Sequence, residues 1–300
     1  MYLGSHVSFG KNQLLGSVKE ALSYNANTFM FYTGAPQNTI RSEIDDSNTK
    51  EALELMKSNG IDINKVICHA PYIINLANKK DPSKWDFSIS FLKNEIKRCE
   101  TMNVKYIVVH PGSSVGISPK EGLDNIIDAL NIIIDDKDTC MILLETMAGK
   151  GNECGRTLEE IKYILDGVKS SNIGVCIDTC HLNDAGYDIS DANKLISDIN
   201  NIIGLERVKC VHLNDSKNEI ASHKDRHDNI GFGTIGFNNL INLVYNDVFK
   251  DIPIILETPY IGDTDDDKNR LYPPYKYEIE MIKNKEFDSS IKDKIRKEYK

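Results

Sequence analysis

Six residues able to bind metal each follow a short apolar run. His69 follows Val66-Ile67-Cys68, His110 follows Ile107-Val108-Val109, and Glu145 follows Ile142-Leu143-Leu144. Asp178 follows Val175-Cys176-Ile177, His212 follows Cys210-Val211, and Glu257 follows Ile254-Ile255-Leu256, while His6 comes just after the first apolar run. One imidazole or carboxylate in such a place is ordinarily a hydrogen-bonded scaffold group or a helix N-cap. Six in succession point to one shared site, because gathered and desolvated charge is costly unless compensated. Divalent cations compensate both kinds of group, and mixed His/carboxylate ligation suits Zn2+ or Mn2+. A second group lies further along. His181 stands three residues past Asp178, and Asp225-Arg226-His227 projects two potential ligands to one side if the loop is extended. Together they offer a separate three-ligand site, with His223 and Asp228 read as bystanders.

The elements that must carry these groups repeat eight times. Apolar runs at Tyr2–Leu3, Thr28–Tyr32, Lys65–Cys68, Tyr106–Val109, Cys140–Leu144, Gly174–Ile177, Val208–Val211 and Pro253–Leu256 read as buried parallel strands. Amphipathic stretches separate them, as in Phe87 to Ile96, entered through Asp81-Pro82, and Phe237 to Val244, entered through Ile235-Gly236. Ser118-Pro119-Lys120-Glu121 and Thr157-Leu158-Glu159-Glu160 match the capping box. Eight strand–helix units predict an α/β fold, the eight-stranded parallel (β/α)8 TIM barrel, with the ligands converging on its C-terminal face. No Gly-rich fingerprint follows the first strand, which disfavours an open doubly wound sheet. No linker-like composition interrupts residues 1–300, so one domain is expected, ending after Pro273 in a final helix with a frayed, charged tail.

The formal net charge of −9 argues against a nucleic-acid partner unless bound cations reverse the field locally. No apolar stretch approaches a membrane span and no export signal precedes the first strand, so cytoplasmic residence is expected. The seven cysteines, at 68, 99, 140, 154, 176, 180 and 210, form no C-x-x-C pair and read as reduced core packing.

Several segments in order resemble endonuclease IV, the apurinic/apyrimidinic endonuclease family built on a trinuclear zinc barrel. They are Gly4-Ser5-His6-Val7-Ser8, His69-Ala70-Pro71-Tyr72-Ile73-Ile74-Asn75-Leu76, and His110-Pro111-Gly112-Ser113. Leu144-Glu145-Thr146-Met147-Ala148-Gly149-Lys150-Gly151 and Asp178-Thr179-Cys180-His181 follow. The series ends with His212-Leu213-Asn214-Asp215-Ser216-Lys217, Asp225-Arg226-His227 with Gly231-Phe232-Gly233, and Ile255-Leu256-Glu257-Thr258-Pro259. The resemblance implies that His69, His110 and Glu145 hold one zinc. Glu145 would bridge to a second held by Asp178, His212 and Glu257, and His181, Asp225 and His227 would hold a third. It implies hydrolysis of the phosphodiester 5′ to an abasic site in double-stranded DNA, leaving a 3′-hydroxyl and a 5′-deoxyribose phosphate, and trimming of blocked 3′ ends. Glu145 and Glu257 would be catalytic, with Glu257 orienting the water. Tyr72 and Ile73 would wedge into the duplex at the lesion, Gln37 and Asn38 would lie on a DNA-penetrating loop, and Lys150 would meet phosphate. Some relatives carry Arg within that loop, whereas the nearest here is Arg41, which leaves the intercalating side chain open. Asn214 and Asp215 either orient ligands or cap a loop. A monomer is expected.

Two other classes compete. Sugar isomerases and epimerases of xylose isomerase-like barrels use a Glu, Asp, His, Glu set that Glu145, Asp178, His212 and Glu257 also provide, but have no need of the remaining ligands. A non-catalytic DNA-binding protein would need a basic surface that this acidic chain lacks.

Overall fold

The apolar runs do become strands, and their order around the sheet closes a ring. In the computed structural model, which describes residues 1–299, β1 (Tyr2–Val7), β2 (Thr28–Phe31), β3 (Ile67–His69), β4 (Tyr106–Val109), β5 (Met141–Glu145), β6 (Ile173–Asp178) and β7 (Val208–His212) line the barrel wall. A short antiparallel pair, β8 (Asp215–Ser216) and β9 (His227–Asp228), follows, and β10 (Pro253–Leu256) completes the barrel. The order is β1-β10-β7-β6-β5-β4-β3-β2, every neighbour parallel. The eight-stranded TIM barrel read from the sequence is the fold observed.

Helices α1 (Gln13–Ser23), α2 (Asp46–Ser58), α3 (Pro82–Thr101), α4 (Pro119–Ile133), α5 (Leu158–Gly167), α6 (Thr179–Ala185), α7 (Ala192–Ile202), α8 (Phe237–Val244), α9 (Tyr275–Asn284) and α10 (Ile291–Tyr299) surround it. Their starts follow local chemistry. Asp81 accepts from the Lys84 N–H ahead of Pro82, and Ser118 accepts from the Glu121 N–H. Thr157 likewise accepts from the Glu160 N–H, but the Glu160 carboxylate reaches past it to the N–H groups of Gly155 and Arg156. The cap forms, with its reciprocal half displaced upstream.

The C-terminal segment departs from the single frayed helix expected. Lys285 turns the chain in the left-handed region at φ 56°, and α10 then folds back with Ile291 and Ile295 buried. Those two residues stand four apart, and their burial outweighs the charge around them. The charged tail's last residue, Lys300, lies outside the described residues.

One layer of the lumen explains how the wall positions chemistry. Met30, Ile67, Val108, Leu143, Cys176, Cys210 and Ile255 fill the barrel interior. Strand side chains alternate, so the residue two places on faces the same way. From Ile67, Val108, Leu143, Cys176, Cys210 and Ile255 that residue is His69, His110, Glu145, Asp178, His212 and Glu257. Neighbouring strands approach closely enough that a Cβ at Gly4 would sit 1.8 Å from the Thr28 carbonyl oxygen, which admits only glycine there.

Candidate metal centre

Glu145, fully buried at the end of β5, is the hub of the floor above that layer. Its Oε2 lies 3.0 Å from His69 Nε2 and 3.1 Å from His110 Nε2. Its Oε1 lies 3.0 Å from His212 Nδ1 and 3.3 Å from His181 Nδ1. His212 Nδ1 is also 3.2 Å from Glu257 Oε2. Three groups result whose ligand atoms lie within 4.8 Å of one another: His69 with His110 and Glu145; Glu145 with Asp178, His212 and Glu257; and Asp178 with His181 and His227. Asp225, read from the sequence as the third partner of His181 and His227, stands 3.1 Å from His181 Nε2 and 3.8 Å from His227 Nε2. Asp178 therefore faces both the second group and the third.

Backbone carbonyls orient the rings. His69 Nδ1 meets Ala70 O at 2.7 Å, His181 Nδ1 meets Thr146 O at 2.9 Å, and His227 Nδ1 meets Glu257 O at 3.2 Å. A ring whose Nδ1–H is donated to a carbonyl presents its Nε2 lone pair to a cation. His227 Nε2 is buried with no hydrogen-bond partner.

The electrostatics are those of a site short of positive charge. Burial alone would raise the pKa of Glu145, yet the imidazoles of His212, His110 and His181 hold it well below the usual carboxylate range. Burial likewise opposes ionisation of Asp225, but its contact with His181 and the nearby His227 and His110 push it down to about 2. Desolvation would lower His181 and His212, and the surrounding carboxylates instead raise both well above the ordinary imidazole value. Carboxylates that stay ionised at this depth attract either protons onto the imidazoles or divalent cations between them.

The loop ligands depend on a polar scaffold. Asp184 accepts the Asp225 N–H at 2.9 Å and the Ser216 hydroxyl at 2.6 Å, fixing a residue whose backbone is left-handed at φ 55°. Asp215 accepts from the N–H groups of Ser216, Gly231, Gly233 and Ile235, at 2.8 to 3.1 Å. A Cβ at Gly233 would come within 2.4 Å of that carboxylate. Asn214 Nδ2 donates to Asp178 at 2.7 Å while its Oδ1 accepts from the Glu257 N–H at 2.9 Å. Of the two roles left open by the sequence, Asn214 orients ligands and Asp215 ties the loop.

Buried Glu278, on α9, accepts from Asn229 and from the Ile230 N–H and pairs with the Thr258 hydroxyl, joining the segments after His227 and Glu257. Burial raises its pKa to about 7. Asp184 and Glu278 went unmarked in the sequence, because nothing in their spacing separates a buried acid from a solvated one.

The residues read as DNA contacts lie outside the floor. Tyr72 is 54% exposed, Ile73 half-buried, and Gln37, Asn38 and Lys150 exposed. Arg41 turns inward, 3.0 Å from buried Glu95 and stacked over Phe91, so it anchors the loop after β2. Arg98 fastens the same loop through the Thr33 and Ser42 carbonyls. His6 joins none of the three groups: its ring packs edge-on against Tyr32, and burial lowers its pKa. His223 bonds the Ala148 carbonyl and Asp228 pairs with Asp215 in the hairpin. All seven cysteines are free and buried. No described helix is long and apolar enough to cross a membrane.

Residues 18–285 match a family described as the xylose isomerase-like TIM barrel. A probable endonuclease 4 of Bacillus licheniformis is 50% identical over 299 residues, 99% of each chain. Among solved structures, endonuclease IV from Thermus thermophilus is 26% identical with a TM-score of 0.78, covering 95% of this chain and 98% of that one. A D-tagatose 3-epimerase-like protein shares the fold, at 21% identity and a TM-score of 0.69, over 100% of this chain and 99% of its own.

Proposed function

Because the chain belongs to the endonuclease 4 family of xylose isomerase-like barrels, we propose that it hydrolyses the phosphodiester 5′ to an abasic site in double-stranded DNA. The products are a 3′-hydroxyl and a 5′-deoxyribose phosphate, and the same site trims blocked 3′ ends in base excision repair. It acts as one domain, a monomer in the cytoplasm.

The donor set is nitrogen and oxygen throughout, and the orphaned His227 Nε2 gives one donor no other use, so the residues fit Zn2+, with Mn2+ acceptable at one or more positions. His69, His110 and Glu145 would hold one ion. Glu145, Asp178, His212 and Glu257 would hold a second, and His181, Asp225 and His227 a third, with Asp178 near enough to share it. When bound, such ions acidify water and neutralise charge on phosphate, which also gives an acidic chain its affinity for DNA.

The chain's own groups do the rest. Glu145, whose two oxygens face different histidines, would belong to both of the first two positions and so set their spacing. Glu257, steadied through its N–H by Asn214, accepts a hydrogen bond from the attacking water and aims its lone pair at phosphorus. Tyr72 and Ile73 insert at the lesion, where a missing base leaves little stacking to break, and Gln37, Asn38 and Lys150 follow the backbone.

The observation that carries this reading is the surplus of ligands. An epimerase is served by Glu145, Asp178, His212 and Glu257, and has no use for His69 with His110 or for His181 and His227, which gather with Asp178 and stand beside Asp225. Elemental analysis together with incubation on an abasic duplex tests it. Three zinc ions per chain and a nick 5′ to the lesion are expected. One ion per chain, an intact duplex and interconversion of ketoses would overturn it.

A further inference from the structure

Beneath the floor, Cys176 and Cys210 occupy matching positions on the adjacent parallel strands β6 and β7, and the pair above them in the same register is Asp178 and His212. Strand alternation turns all four side chains into the barrel, so the two thiols lie one layer below the two ligands. Cys176, Cys210 and His212 form a fourth group of potential ligands within 4.8 Å of one another, all three buried. The Cys210 thiol sits beside both the Cys176 thiol and the His212 ring. His212 commits Nδ1 to Glu145 and Glu257, while its Nε2 is buried without a hydrogen-bond partner. A buried, unpaired ring nitrogen is costly unless something meets it.

We propose that Cys176, Cys210 and the inner nitrogen of His212 form a distinct metal site, selective for a thiophilic cation such as Cd2+. Two sulfurs and one imidazole are a softer donor set than the nitrogen and oxygen donors above, so the lower layer favours the more thiophilic of two competing cations, Cd2+ over Zn2+. Filling the site forms two metal–sulfur bonds and one metal–nitrogen bond. Each thiol releases its proton to solvent, and because His212 already turns Nδ1 to the upper group, its ring also releases the Nε2 proton and serves both layers as an imidazolate. Access depends on opening of the barrel mouth, so uptake is slow.

The proposal stands on this geometry and does not require the nuclease reading. Zinc-loaded protein is equilibrated with Cd2+ under a thiol-free reductant, and the ultraviolet thiolate-to-cadmium charge-transfer band is recorded without DNA. One cadmium per chain carrying that band is expected. Cadmium exchanged into the upper groups gives no such band, since they contain no sulfur. Cys176→Ala and Cys210→Ala should each abolish it, whereas Cys99→Ala, beside Cys68 and Cys140 elsewhere in the core, should leave it intact. Circular dichroism matching the wild type guards against misfolded variants, and 113Cd resonance gives a second measure of sulfur ligation. No band in the wild type, or a band that survives both inner substitutions, overturns the proposal.

Discussion

The candidate ligands at the strand ends and those in the loop meet at one floor but are held by different physics. His69, Glu145, Asp178 and His212 end barrel strands, nearly inaccessible, their directions set by the pleat and by register across parallel neighbours. Asp225 and His227 ride the excursion between β7 and α8, with side chains 29% and 18% exposed. Their placement depends on acids buried behind them, Asp184, Asp215 and Glu278. A pleat fixes direction at no cost beyond folding the sheet. The loop must desolvate carboxylates and satisfy them with backbone N–H groups. The wall therefore gives the more robust ligands and the loop the more adjustable ones.

The sharpest test of the contrast removes the hub. Glu145→Ala should lower abasic-site cleavage on the order of 10^4-fold and disturb two ions, read by kinetics and metal content together. If both variants of the ligand set, Glu145→Ala and His227→Ala, lost all ions equally, wall and loop would be a single cooperative unit and the contrast would fail.

The next effect concerns stability and pH. Burial raises Glu278 from 4.5 to about 7, so between those values the folded chain holds a proton that the unfolded chain has released. Stability then falls as pH climbs through this window, by up to about 3 kcal/mol in all. Glu278→Gln keeps an acceptor for Asn229 and the Ile230 N–H and adds a donor for Thr258. Its thermal midpoint should decline less between pH 5 and 8 than the wild type's. Parallel profiles would show that the acid carries no such cost.

His227→Ala should reduce cleavage about 10^2-fold and release one ion while the other two stay. Asp215→Asn should be milder, weakening retention of that same ion about tenfold, because an amide NH2 replaces one oxygen facing backbone N–H donors. Loss of a wall-bound ion in that variant would refute the independence of the two regions.

Most of the wall was legible in the sequence. Each apolar run ends in a polar residue, and a short run with a polar terminus reads the same in one dimension as in three. Cys176 and Cys210 show where such reading stops: each lies two residues before a ligand, but only the register between β6 and β7 sets them side by side. Asp184 and Glu278 were illegible for a related reason, since an acid on a helix looks solvated until the packing around it is known. Arg41 was visible as a cation beside the loop after β2, whereas its inward turn onto Glu95 depends on a partner more than fifty residues away. The charge of the C-terminal segment reads as a solvated tail in one dimension, whereas the docking of α10 through Ile291 and Ile295 depends on the packing behind it.

The position of β10 between β1 and β7 has a consequence in time. A chain emerging from the ribosome in order makes His69, His110, Glu145, Asp178, His181, His212, Asp225 and His227 well before the strand that joins the two open edges. Glu257, the carboxylate assigned to aim the water, comes immediately after that strand. Nascent fragments can thus gather much of the ligand set yet lack both a closed wall and its last acid. The closing strand and the last acid of the candidate centre therefore arrive together, after most of the other candidate ligands.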